Sequence, residues 1–163
     1  VGGVYDLATD ELVDELQQWL LPLPAQHPRF LRALAEQALG CTPSLGWFGK
    51  FVYDGGHRYP HTIDLKVRGV RPFVDSARIY ALRHGVGLTN TMERLRAVGP
   101  LDQRAPSDTV ASIEALELIQ RLRLQRQLAG GEFDEVNRVD PAALTAPQRM
   151  MLKEAFRQAR LLR

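Results

Sequence analysis

Five charged residues near the middle of the chain, Asp64, Lys66, Arg68, Arg71 and Asp75, have the types and spacing to hold an anion. Three cations close to the start of a helix add their charge to the unpaired backbone N–H groups there, and that combination cradles phosphate or carboxylate. Asp64 and Asp75 would hold the cations in place. The same five charges also fit a blander reading, in which they are the solvated face of a strand and a helix, paired with one another.

The elements that must position these residues meet at Gly69. Before it, Ile63, Leu65 and Val67 alternate with Asp64, Lys66 and Arg68, the rhythm of a half-buried strand. After it, Val70, Phe73, Val74, Ala77 and Ala81 recur at helical intervals, while Arg71, Asp75 and Arg78 occupy an adjoining stripe. Gly69 is expected to absorb an irregular dihedral at the junction. Pro72 is tolerated in a first helical turn, where its missing N–H costs nothing.

In chain order, residues 4–7 read as a short strand or an arm. Thr9 or Asp10 caps a helix to about Leu21, with Leu12, Leu16, Trp19 and Leu20 inward, and Pro22 and Pro24 end it. A second helix runs from Pro28 to Gly40, antiparallel to the first. Aromatic residues and glycines then replace the helical period, and Asp54-Gly55-Gly56 signals a turn. The expected hairpin has residues 47–53 as one strand and 61–67 as the other. Helices follow at 70–84, 92–98, 107–129 and, after a Thr145/Gln148 capping box, near the C-terminus. The fold class is mainly α, a bundle of five or six helices with one inserted β-hairpin.

Composition narrows the function classes. Of 163 residues, 45% are hydrophobic, enough for one sizeable core. With 21 Lys+Arg against 19 Asp+Glu the formal charge is only +2, so no global field favours nucleic acid as a partner. The lone Cys41 excludes an internal disulfide and a cysteine-rich zinc site, which suits a cytoplasmic protein. No uncharged apolar run reaches membrane-spanning length, and no membrane partner is expected. His57 and His61 lack the companions that a metal site needs. Trp47, Phe48, Phe51 and Tyr53 read as hairpin core rather than a base-stacking platform, because no RNA-binding signature accompanies them. Arg121, Arg123 and Arg126 span more than one helix face and read as partners for neighbouring acidic residues.

Three separated motifs carry a resemblance. They are Asp64-Leu65-Lys66-Val67-Arg68-Gly69-Val70-Arg71-Pro72-Phe73-Val74-Asp75, Leu122-Arg123-Leu124-Gln125-Arg126-Gln127-Leu128, and Asn137-Arg138-Val139-Asp140-Pro141 with the Leu152-Lys153-Glu154-Ala155-Phe156 helix. In that order they resemble the nucleotidyltransferase substrate-binding domain, from about Leu12 to the end. This is the C-terminal helical part of bacterial signal-transduction proteins that also carry cyclic-nucleotide-binding or CBS domains and a nucleotidyltransferase domain. The 64–75 segment is more distantly similar to the PII uridylyltransferase family.

The resemblance implies a non-catalytic module that positions a target for nucleotidyl transfer by a domain absent from this chain. No Gly-Ser and no Asp-x-Asp occurs here to hold magnesium and a nucleoside triphosphate, so both are implied for the parent protein. Residues 1–8 would be the remnant or arm of a preceding nucleotidyltransferase domain, with Asp6 the one residue that such a domain could turn into a metal ligand, and 9–163 the helical domain. Arg123 and Gln127 join Asp64, Lys66, Arg68, Arg71 and Asp75 as candidate substrate- or anion-binding residues, and no residue is catalytic. The implied partners are the preceding domain, a small signalling protein and a second copy of the chain. The alternative is a helical interaction, dimerisation or sensor-coupling module with no nucleotide chemistry.

Overall fold

The computed structural model describes the backbone of residues 4–131 and 135–163, and side chains from Glu11 onward apart from Ala25. The helices are α1 (Val4–Leu20), the single turn α2 (Leu23–Gln26), α3 (Pro28–Leu39), α4 (Arg71–Arg83), α5 (Thr91–Leu101), α6 (Pro106–Ala129) and α7 (Ala146–Leu161). The fold is mainly α, as the periodicity requires. Two short antiparallel strands, β1 (Ile63–Asp64) and β2 (Arg138–Val139), pair Ile63 with Val139 and Asp64 with Arg138.

The core lies where α4, α6 and α7 meet the β1 junction. Ile63, Leu65, Phe73, Ala77, Leu116, Ile119, Leu152 and Phe156 are sealed from solvent. The helical stripes of α4, α6 and α7 supply the last six of these at intervals of three and four, as the patterning predicts. Capping also matches. Asn90 Oδ1 accepts from the N–H groups of Met92 and Glu93, and Thr145 and Gln148 form the reciprocal capping box. Helix α5 runs through Gly99-Pro100 to Leu101, past the end expected at residue 98. Its Gly99 lies so close to α6 that a Cβ would stand 2.4 Å from Thr109 Oγ1.

Three details differ from expectation. Residues 4–7 open helix α1 rather than forming a strand, while the Asp6 side chain lies outside the described residues. The inward face expected of α1 is uncovered, with Leu12, Leu16 and Trp19 all about 60% exposed. The hairpin of 47–53 with 61–67 does not form. Leu45 bridges Phe51 around a tight loop, Asp54 N–H donates to the Thr62 carbonyl to close a second loop, and Ile63–Asp64 takes its strand partner from Arg138–Val139. Gly55 allows the second loop to close, because a Cβ there would sit 1.7 Å from the Tyr59 carbonyl oxygen.

Candidate functional site: the charged junction of β1 and α4

The strand rhythm stops at Asp64, two residues into β1, and the chain turns directly into a helix. Residues Lys66–Val70 form a π-turn that runs into α4, with Arg71 N–H donating to the Lys66 carbonyl five residues back. Pro72 explains the widening. Its ring would collide with the carbonyl of Arg68 in a regular α-turn, and it has no N–H to return. The Val67 carbonyl, five residues before Pro72, accepts instead from the thiol of Cys41 at 2.8 Å. Because the helix starts early, Val67 turns outward and is 37% exposed, whereas Ile63 and Leu65 are buried as the alternation requires.

Gly69 has helical rather than irregular geometry. A Cβ on it would stand 2.8 Å from Ile119 Cγ2 and 3.6 Å from Phe156 Cε1, so glycine lets the π-turn press against α6 and α7. The helix start offers no empty anion cradle. Asp64 Oδ1 accepts the N–H groups of Lys66 at 2.8 Å and Val67 at 3.0 Å, so its own carboxylate occupies the place of the anion.

The candidate residues divide into three groups. Asp64 and Arg68 meet at Asp54: Oδ1 of Asp54 accepts from the Asp64 N–H at 3.0 Å and Oδ2 from Arg68 Nε at 3.1 Å. Arg71 and Asp75 pair with each other at 3.2 Å one turn along α4, where Asp75 also lies 4.0 Å from Arg78. Arg123 is drawn to the far side of the junction, donating through Nε and Nη2 to Asn137 Oδ1 at 3.1 and 2.9 Å. Asn137 returns to the junction through its carbonyl, which accepts the Leu65 N–H at 2.9 Å. Two residues stand apart. Lys66 is exposed with no ion pair among the described residues, and Gln127 is exposed on the last turns of α6.

Sequence reasoning missed the hub of this arrangement. Asp54, read as a turn residue before Gly-Gly, is largely buried and also accepts from Arg138 Nη1 at 3.0 Å. Arg138 in turn lies over the Tyr59 ring at 5.1 Å. One carboxylate thus fastens the 54–62 loop, β1, the π-turn and β2 together. The Asn137-Arg138 motif contained half of this signal. Cys41 is buried, and burial pushes its thiol above the ordinary value even though Arg71 and Arg68 pull the other way.

Residues 28–163 match the family model described as "Putative nucleotidyltransferase substrate binding domain". The chain belongs to this family. The matched region begins at α3, later than the start near Leu12 that the motifs imply, so α1 and α2 precede it. Neither the curated proteins nor the solved structures contain a match. Magnesium, which nucleotidyl-transfer chemistry calls for, finds no fitting donor set among the described residues. Among the described residues, no group of three or more His, Cys, Asp or Glu side chains could hold a metal ion. Nor is any described helix long and apolar enough to cross a membrane.

Proposed function

We propose that this domain is the non-catalytic accessory module of a nucleotidyltransferase, positioning a target for nucleotidyl transfer by a catalytic domain in the same parent protein. The family match over residues 28–163 carries the reading. The lack of a Gly-Ser turn and an Asp-x-Asp pair supports it, since magnesium and the nucleoside triphosphate would be held by the catalytic part. In this reading the exposed Lys66, with Arg68 and Arg71 along the same edge, faces the catalytic cleft, while Asp54 holds Arg68, Asp75 holds Arg71 and Asp64 caps the turn that carries them. Arg123, on the far side of the junction, and Gln127, beyond it on α6, would make a separate contact.

The exposed apolar face of α1 favours a second, compatible role. Leu12, Leu16 and Trp19 would couple this domain mechanically to whatever precedes it in the parent. A bacterial signal-transduction setting, with cyclic-nucleotide-binding or CBS domains upstream and a small signalling protein as the acceptor, agrees with both roles.

The test is to incubate this chain alone, and then the parent protein, with magnesium and labelled ATP, UTP or CTP plus candidate acceptor proteins. Label is expected on an acceptor only with the parent. Transfer by this chain alone would overturn the accessory reading.

A further inference from the structure

We propose that the groove between the aromatic loop of residues 44–52 and the C-terminal half of α7 binds a nucleoside phosphate. The site is separate from the charged junction and holds whether or not that edge contacts a catalytic domain.

The loop is built to present its tip. Gly46 N–H donates to the Lys50 carbonyl at 2.7 Å, Val52 N–H to the Ser44 carbonyl at 3.1 Å, and Leu45 bridges Phe51. Phe51 anchors the base, meeting Phe156 edge to face at 6.3 Å. The tip, by contrast, carries two aromatic side chains that nothing covers. Trp47 is 88% exposed and Phe48 is 97% exposed, the latter held at φ 58° in the left-handed region. A hydrogen-bonded base carrying two uncovered rings gives a stacking surface for a planar partner.

The facing wall supplies positive charge. Arg157 and Arg160, one turn apart on α7, line the groove opposite the loop, and the groove has a volume of about 410 Å³. Arg157 pairs only with the exposed Glu154, and the Arg160 side chain has no ion pair or hydrogen bond among the described residues. Planar guanidinium groups match phosphate oxygens, and a groove of this size suits a small ligand.

Those two walls specify two halves of one ligand. An inorganic phosphate or a lipid headgroup would leave the rings uncovered, and a neutral aromatic would leave the arginines unpaired. A nucleoside phosphate carries a flat base and an anionic chain in one molecule, and it fits both walls at once.

Two tryptophans occur in the chain, so a Trp19→Phe background leaves Trp47 as the sole indole reporter. Trp19 is itself exposed, and its replacement leaves the core intact. ATP and UTP are titrated against this protein, with adenosine, tripolyphosphate and a short single-stranded oligonucleotide as separate arms. Saturable quenching by ATP or UTP is expected. Adenosine and tripolyphosphate should each bind about tenfold more weakly or worse, and Arg160→Ala should weaken the nucleotide about tenfold at an unchanged melting temperature.

Absence of saturable quenching by either nucleotide up to about 10 mM would overturn the proposal. So would affinity unaltered in an Arg157→Ala, Arg160→Ala double variant. Tripolyphosphate binding as tightly as ATP would reduce the groove to an anion patch, and binding confined to the oligonucleotide would make it a strand-binding surface. Either result also counts against the assignment.

Discussion

The carboxylate of Asp54 accepts from the guanidinium of Arg138 at 3.0 Å across 84 positions of sequence, and the same carboxylate accepts from Arg68 on its other oxygen. Both side chains of the Asp54–Arg138 pair are mostly buried. A buried pair contributes less than its Coulomb energy because both ions lose hydration, yet removing one partner leaves the other charge stranded. Asp54 also accepts a backbone N–H from β1, so its removal frees three donors.

Asp54→Ala is therefore expected to cost about 3 kcal/mol, a fall in melting temperature on the order of 6–12 °C for a domain of this size. Asp54→Asn keeps the shape and one acceptor and should cost less. A melting temperature for Asp54→Ala within about 1 °C of the parent value would show that this hub is not what closes the junction.

Gly69 makes a different demand, for space rather than charge. An added methyl would press on Ile119 and Phe156, both fully buried, with Ile119 Cγ2 only 2.8 Å away. Gly69→Ala should destabilise by about 1–3 kcal/mol, less up to about 1 kcal/mol gained from helix propensity. Urea unfolding measures the difference, and a stabilised variant would contradict the close approach.

Cys41 links stability to alkaline pH. Burial raises its thiol pKa in the folded state above the ordinary thiol range, with Arg71 and Arg68 opposing. A raised folded pKa gives a contribution that is complete below the unfolded pKa and is lost as pH rises through the folded one. The stability advantage of the native chain over Cys41→Ala should thus be flat up to about pH 9 and shrink above it. At pH 8 the thiol should also react more slowly with a disulfide reagent in the folded than in the unfolded chain. Equal rates would mean that the Cys41 donation to Val67 is not maintained.

Much of this fold was legible because the helices carry local information. The stripes of α4, α6 and α7, the Asn90 cap and the Thr145/Gln148 box each lie within a few residues of what they determine. The 41–67 region was not legible, because its determinants are distant. Ile63 alternates correctly with its neighbours, but its strand partner Val139 lies 76 positions away, and nothing local distinguishes that pairing from a hairpin. Asp54 before two glycines carries a turn signature, and a turn residue and a buried ion-pair hub look the same until Arg138 is placed beside it. The aromatic run from Trp47 has strand-forming residues but no covering surface, so its tip stays in solvent. The candidate cations were found by type and spacing, whereas their grouping onto Asp54, Asp75 and Asn137 came from packing.

The same grouping separates two cations that the sequence treats alike. Lys66 is exposed and unpaired among the described residues, whereas Arg71 is tied to Asp75 beside the α3 surface formed by Leu34, Gln37 and Ala38. If the junction edge meets a catalytic domain, Lys66 gives its whole charge to that contact and none to the stability of this domain. Lys66→Ala should leave the melting temperature within about 1 °C and weaken nucleotidyl transfer by the parent protein about tenfold, the effect of one charged hydrogen bond. Arg71→Ala removes an exposed i,i+4 pair worth about 0.5 kcal/mol and should lower the melting temperature by a degree or two. It should reduce transfer as well only if Arg71 leaves Asp75 in the assembled protein. The decisive measurement is the pair of ratios, activity and melting temperature for each variant against the parent. Full transfer activity in Lys66→Ala would return this edge to the scaffold, because no other cation of the junction is as free to act.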